Sequence, residues 1–343
     1  MKIIWDGVFN DYSSIGIISH HFTRHLLKLG HTVYVRPWEG SDSHTIPQGC
    51  TIHRGERADI SIRSCDPFSA LLGNHFAEDG TARFHVPLLY FDKGILPDEK
   101  VAEINNNLPY LLTVSDFTRN LLIFNGVKAK IFVVPLGYDE TESQDIDIYQ
   151  KEQERLVLIY AGYLGGFRKG LDLLINVFND QFADDERVHL IIKSDCWDYA
   201  ANAGNMEVVT EILDRKEWYR LLARAHYFIA PARMESFGMI GLEAASVGTS
   251  LIYPLNSAYA CYGLNMPYSH MMTSGYWKIR DGGNGNELYW EVTPEEIALM
   301  IEYLCETNAQ RFNPAAVQNY AREYTWSKVT RILADTLQSI LEG

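Results

Sequence analysis

The sequence lacks the features that would point to a membrane-embedded or nucleic-acid-bound protein. In 343 residues, no apolar run approaches the roughly 18–20 residues that a membrane-spanning helix needs. The 30 basic residues are outnumbered by 44 acidic ones, which gives a net charge of −14. Because nucleic-acid binding needs a clustered positive surface, we expect no nucleic-acid partner. The charge gives no support for strong docking on anionic lipid either, although a local basic patch would still allow peripheral contact with a membrane.

Cysteine is scarce, and no metal-ligating cluster is visible. The cysteines are odd in number, far apart and without a Cys-x-x-Cys pair: Cys50, Cys65, Cys196, Cys261 and Cys305. This pattern favours reduced thiols over disulfides or a zinc site, and reduced thiols are typical of a cytoplasmic protein. The acidic pair Asp184-Asp185 indicates solvated surface rather than a metal site, so we predict no bound metal. We also expect no cofactor.

Short apolar, β-branched runs alternate with longer helical patterns along the whole chain. Residues 86–91 and 156–161, for example, are apolar on successive rather than alternate positions. Such runs are typical of parallel strands that are covered by helices on both faces. Because the length also suits two domains of about 150 residues each, we predict two doubly wound, Rossmann-like α/β domains.

A polar, acidic stretch near the middle of the chain is the best candidate for a linker. We expect the last helices of the chain to cross back to the first domain. The predicted parts are an N-terminal domain over residues 1–137, a linker over 138–154, a C-terminal domain over 155–310, and C-terminal helices over 311–343.

The most informative segment is 231–248, which follows a strand and becomes helical from Met239. Helix N-termini attract phosphate, because their first backbone N–H groups have no partner within the helix. A glycine at this place lets an anion approach the backbone closely. The residues whose N–H groups are expected to serve in this way are Ser236, Phe237, Gly238 and Met239.

Two glutamates lie in the same segment. A carboxylate that faced the phosphate would repel it, so we expect Glu235, in the turn, to point toward sugar hydroxyls instead. Glu243 lies about two helical turns further on and is expected to bind a ribose in the same way. The alternative interpretation is that Glu235 only complements the helix dipole and that Glu243 is a solvated helix residue.

A second segment, 160–174, combines a strand, a glycine-rich loop, the cations Arg168 and Lys169, and a helix. Its glycine spacing fits neither a P-loop nor the dinucleotide-binding fingerprint. Two cations above the carboxyl end of a strand nevertheless suit a leaving diphosphate. The alternative is a solvated basic pair in a turn.

Together these segments resemble glycosyltransferase family 4, whose members are retaining enzymes of the GT-B fold, with two Rossmann-like domains that face each other across a cleft. Glu235 and Glu243 match the family's Glu-x7-Glu motif, and Lys169-Gly170 matches its Lys-Gly loop. Further similarities follow in the family's order at residues 114–118, 133–139 and 324–329.

The resemblance implies a role for each matched residue. Glu235 would bind the donor sugar, Glu243 the ribose, and Arg168 and Lys169 the departing diphosphate. Gly16, in the loop after the first strand, would lie near the phosphates from the opposite domain. Asp92, after the strand 86–91, is a candidate contact for the acceptor.

The implied activity is a metal-independent, cytoplasmic hexosyl transfer with retention of configuration. The donor would be a nucleotide-diphosphate sugar, with UDP favoured over GDP, and the acceptor an unidentified glycan, lipid-linked or small molecule. Two alternatives stay open: a protein that binds nucleotide sugars without transferring them, and an epimerase or phosphorylase of GT-B-like fold. A nicotinamide-dependent dehydrogenase is disfavoured because its glycine fingerprint is missing.

Overall fold

A computed structural model describes residues 1–68, 80–162, 166–194, 204–282 and 285–343. The chain divides into two compact units, Met1–Gly137 with Tyr324–Gly343, and Tyr138–Glu323. Residues 138–154, which we expected to form a linker, therefore pack within the second unit. Of the expected C-terminal helices, only the part from Tyr324 onward joins the first unit.

The first unit is built on a seven-stranded parallel sheet. Its strands are β1 (Lys2–Gly7), β2 (Thr32–Pro37), β3 (Thr51–Ile52), β4 (Ala58–Cys65), β5 (Ala82–Leu89), β6 (Tyr110–Thr113) and β7 (Lys130–Val133). Their order is β3-β2-β1-β4-β5-β6-β7. The described helices of this unit are α1 (Ser14–Lys28), α2 (Asp98–Asn107), α3 (Asp116–Phe124) and, from the end of the chain, α12 (Trp326–Glu342).

Local signals set the ends of several helices. The Ser115 hydroxyl accepts a hydrogen bond from the Thr118 N–H at 3.1 Å and caps α3, which ends before Asn125 and the left-handed Gly126. Thr293 caps another helix by accepting from the Glu296 N–H at 3.2 Å. In a capping box the Glu296 carboxylate would accept from the Thr293 N–H. Here it accepts instead from the Thr273 N–H at 2.7 Å.

The second unit contains a six-stranded parallel sheet and a separate antiparallel hairpin. The sheet strands are β8 (Leu156–Ala161), β9 (Val188–Lys193), β10 (Met206–Val209), β11 (Tyr227–Ile229), β12 (Ser250–Pro254) and β13 (His270–Met272), and the hairpin consists of β14 (Gly275–Asp281) and β15 (Asn286–Val292). The described helices are α4 (Glu140–Ser143), α5 (Gly166–Lys169), α6 (Leu171–Val177), α7 (Arg215–Ala223), α8 (Met239–Ser246), α9 (Ala260–Gly263), α10 (Pro294–Glu306) and α11 (Pro314–Ala321).

The order of strands in the second sheet decides where its loops meet. That order is β10-β9-β8-β11-β12-β13, so the direction of strand addition reverses between β8 and β11. All six residues of β8 are buried, as the continuous apolar run predicted. Loops that leave the carboxyl ends of the two strands at such a reversal form the usual ligand crevice of an open α/β sheet. In this unit these loops lead to Lys169, at the end of α5, and to Glu235.

Candidate functional site

The two segments with the predicted chemistry are joined through their backbones. The Arg168 carbonyl, in α5, accepts hydrogen bonds from the N–H groups of Arg233 (3.0 Å) and Met234 (3.3 Å). Gly170 has a φ of +76°, and a Cβ there would overlap the Pro231 carbonyl. A glycine is required at this point because the two loops approach each other without room for a side chain.

This packing brings Lys169 and Glu235 into a largely buried ion pair. The Lys169 Nζ contacts Glu235 Oε2, and the two side chains are 18% and 9% exposed. Burial acts to raise the pKa of the Glu235 carboxyl, but the charges of Lys169 and Arg168 outweigh it and lower the pKa to about 2. Glu235 is therefore an anion at neutral pH, with acceptor capacity and no proton to donate.

The second oxygen of Glu235 binds the start of the following helix. Its Oε1 accepts from the N–H groups of Ser236 at 3.1 Å and Phe237 at 3.5 Å. Two of the donors that we expected to face a phosphate are thus bonded to Glu235 in this structure. This contact agrees with the interpretation in which Glu235 complements the helix dipole. The same carboxylate also forms the ion pair with Lys169.

Aromatic side chains shape the start of α8. Gly238 is left-handed at φ +86°, and its carbonyl accepts from the Tyr262 hydroxyl at 2.6 Å. A Cβ at Gly238 would overlap the Tyr259 ring, so this position also excludes a side chain. Tyr259 is buried; burial and the nearby charge of Glu235 raise the pKa of its hydroxyl well above the ordinary range. Met239, the first residue of α8, is half-buried.

Glu243 is buried, so its interpretation as a solvated helix residue is wrong. Only 4% of Glu243 is exposed. Its Oε1 accepts from Arg215 Nη2 at 2.6 Å, and its Oε2 accepts from the indole N–H of Trp218 at 2.9 Å. Arg215 also binds Glu142 through Nε at 2.9 Å. These partners fix the orientation of the Glu243 carboxylate, and its role toward a ribose stays a prediction.

Two predicted residues belong to the first unit. Gly16 lies in the first turn of α1 and not in the preceding loop, which corrects the predicted position. Its N–H donates to the Ser13 hydroxyl at 3.1 Å, and a Cβ would overlap Asn10. Asp92 follows β5 by three residues and is half-buried. The roles assigned to Gly16 and Asp92 stay predictions.

Sequence reasoning missed Arg233, Tyr259 and the hairpin. The hairpin was signalled by a glycine-rich turn at residues 282–285 between two runs of alternating apolar and polar residues. Arg233 and Tyr259 carry no local signal, because their partners lie far away in sequence.

Other sequence expectations concern metals, thiols and membranes. Across the described residues, no group of three or more His, Cys, Asp or Glu is arranged to hold a metal ion. Cys50, Cys65 and Cys305 are free thiols and Cys261 is half-buried. Cys196 lies outside the described residues, as do positions 163–165 of the glycine-rich loop. Within the same part of the chain, no helix has both the length and the apolar character needed to cross a membrane.

Comparison with known proteins places this geometry in context. Residues 155–254 match the family model described as Glycosyl transferases group 1. ORF330 of Acidianus filamentous virus 2, a protein with the provisional name of a glycosyltransferase, is 26% identical over 177 residues, which are 48% of this chain and 51% of that protein. The chain therefore matches about half the length of this relative.

Solved structures resemble the chain over nearly its whole length. A glycosyltransferase from Rickettsia africae has a TM-score of 0.73 at 13% identity and covers 99% of both chains. Alr3699/HepE of Anabaena, solved with UDP and glucose, has a TM-score of 0.69 at 14% identity and covers 99% of this chain and 100% of that one. The chain has the GT-B fold. The prediction of a GT-B fold is confirmed, and the residues matched by the family model lie in the second unit, which contains Lys169, Glu235 and Glu243.

Proposed function

We propose that the protein is a retaining glycosyltransferase. It transfers a hexose from a nucleotide-diphosphate sugar, UDP rather than GDP, to a glycan, lipid-linked or small-molecule acceptor. The observation that carries this proposal is the buried Lys169–Glu235 pair at the start of α8. It places a cation suited to a diphosphate directly beside a carboxylate suited to sugar hydroxyls.

The reaction needs charge stabilisation more than a separate base. The anomeric carbon loses its bond to the diphosphate and gains a bond to the acceptor oxygen on the same face of the sugar. The acceptor's proton moves to an oxygen of the departing phosphate. Lys169, Arg168 and the N–H groups at the start of α8 stabilise the charge that develops on the diphosphate. These protein groups serve in place of a metal ion.

Glu235 has a defined part in this scheme. With its pKa lowered to about 2, it accepts hydrogen bonds from sugar hydroxyls and orients the reacting carbon. A donor phosphate takes the N–H groups of Ser236 and Phe237 that Glu235 Oε1 now binds. Donor binding therefore turns Glu235 from the helix start toward the sugar.

The experiment starts with a thermal-shift screen of nucleotides and nucleotide sugars, because a ligand of the folded state raises the melting temperature with occupancy. The donor identified in this screen is then used in an assay that measures the release of nucleoside diphosphate in the presence of a metal chelator. We expect Glu235→Gln to reduce turnover by at least about 100-fold with the fold intact. Glu207→Gln, in an exposed pair with Arg224, is the matched control and should retain activity.

The same assay separates the alternatives. Wild-type turnover in Glu235→Gln contradicts the role of this residue. Binding of a nucleotide sugar without any release of nucleoside diphosphate contradicts transfer and favours a binding protein. Conversion of the donor into an isomer in the absence of an acceptor favours an epimerase.

A further inference from the structure

The antiparallel hairpin β14–β15 contacts the helix that carries the two cations. Its strands present Arg280 and Tyr289 toward Phe167, which lies in α5. The Arg280 guanidinium lies 3.9 Å from the centroid of the Phe167 ring, and the Arg233 guanidinium lies 4.2 Å from it. The Tyr289 ring meets the Phe167 ring at 5.3 Å and 80°, in an edge-on arrangement. We call Phe167, Arg233, Arg280 and Tyr289 the Phe167 clamp.

Arg233 connects the clamp to three parts of the unit. Its side chain is 3% exposed and donates to the Phe167 carbonyl at 2.6 Å, to both Asp172 oxygens at 2.7 Å and to Glu291 Oε2 at 2.5 Å. Glu291 lies on the hairpin and also pairs with Lys278. The carboxylates of Asp172 and Glu291 compensate the buried charge of Arg233, and Lys278 offsets the second carboxylate, so the charges of the group balance. α5, the first turn of α6 and the hairpin therefore converge on one guanidinium.

The clamp contacts the short helix that carries the two cations. Phe167 directly precedes Arg168 and Lys169, and α5 is only four residues long. A helix of one turn has almost no stability of its own, so tertiary contacts must set its position. The contacts of Phe167 with the hairpin and with Arg233 are among these, beside the backbone bonds from Arg233 and Met234 to the Arg168 carbonyl.

We propose that Arg233 and Arg280 are positioning residues, through which the hairpin holds α5 so that Arg168 and Lys169 converge on a diphosphate. Neither residue has to touch the substrate for this effect. The catalytic consequence rests on the proposed function, whereas the mechanical effect on α5 does not. The two parts are therefore tested by separate measurements.

Hydrogen–deuterium exchange without nucleotide tests the mechanical part. Arg280→Ala and Phe167→Leu should exchange about tenfold faster in peptides that cover residues 166–172 and 231–236, because cation–π contacts of this kind correspond to about that factor. Ile279→Ala is the matched control: it is the neighbour of Arg280 on the same strand, is 63% exposed, and should leave exchange unchanged. Unchanged exchange in Arg280→Ala, or an equal rise over the whole unit, overturns the proposal.

Calorimetric titration with UDP and GDP tests the consequence for ligands. Arg280→Ala and Phe167→Leu should weaken binding of the nucleoside diphosphate by about tenfold. Phe167→Tyr, which keeps the aromatic ring, should bind it with the affinity of the wild type. Faster exchange with unchanged affinity in Arg280→Ala overturns the positioning role. If the wild type binds neither UDP nor GDP, the proposed function fails, while the exchange experiment still decides whether the hairpin holds α5.

Discussion

Removal of the Lys169 charge offers a direct physical test of the site without any substrate. In Lys169→Met, the methionine keeps much of the length of the side chain but leaves the Glu235 carboxylate without its ion-pair partner. Glu235 is 7% exposed, so water replaces this partner poorly. Loss of one partner of a buried ion pair destabilises more than loss of both.

The magnitude follows from the pKa of Glu235. A value of about 2, against 4.5 for an ordinary glutamate, corresponds to about 3 kcal/mol of preferential stabilisation of the charged carboxylate. Arg168 and the Phe237 N–H provide part of this stabilisation. We therefore expect Lys169→Met to lower the free energy of unfolding at pH 7 by about 2–3 kcal/mol.

The pH dependence has a definite sign. Because the folded pKa of Glu235 lies below its ordinary value, the ion pair stabilises the fold fully above pH 4.5, and this contribution is lost as the pH falls toward 2. Urea unfolding, followed by tryptophan fluorescence, should therefore show a deficit for Lys169→Met at pH 7 that shrinks below pH 4.5.

A double variant completes the test. Lys169→Met combined with Glu235→Gln removes both charges and should unfold within about 1 kcal/mol of the wild type. A wild-type free energy of unfolding in Lys169→Met at pH 7 would refute the reasoning. The reasoning is also refuted if the double variant is as unstable as Lys169→Met. In that case the unpaired Glu235 carboxylate is not the cause of the lower free energy of unfolding.

Two further predictions concern buried charged and titratable groups of the second unit. Arg215→Met should lower the free energy of unfolding by about 1–2 kcal/mol, and the melting temperature by a few degrees, because Glu243 and Glu142 lose their shared cation. An unchanged melting temperature in differential scanning calorimetry would contradict this prediction. Burial and the charge of Lys151 lower the pKa of His226 to about 4, so wild-type stability should fall by about 2–3 kcal/mol between pH 6.5 and pH 4. Urea unfolding of His226→Gln should not show this fall in the free energy of unfolding. If the free energies of the two proteins change in parallel with pH, His226 is not the group responsible.

Local chemistry made much of the fold predictable. The hydroxyl of Ser115 and the pair Asn125-Gly126 mark the ends of α3, because caps and left-handed stops act within a few residues. The continuous apolar run of β8 indicated a buried parallel strand, since both faces of such a strand must avoid water. Lys169 and Glu235 were expected to bind two parts of one donor molecule, and in the structure they form an ion pair.

Contacts between distant residues were not predictable in this way. Arg233 binds Asp172 and Glu291, which lie 61 and 58 positions away, and no local pattern specifies such partners. Gly16 was placed in a loop although it lies in the first turn of α1, where the close approach of Asn10 requires a glycine. The alternation that marks the hairpin specifies a half-buried strand but not which surface it covers.

The sequence by itself determined the α/β class and the presence of two units, because strand burial and helix caps act at short range. Only the tertiary structure decided that Glu243 is held by Arg215 and Trp218, and that the hairpin supports Phe167. These contacts depend on the order of strands and on side-chain packing. The physical reason is that a buried charge takes whichever compensating partner the fold brings within hydrogen-bonding distance, and chain separation places no limit on that choice.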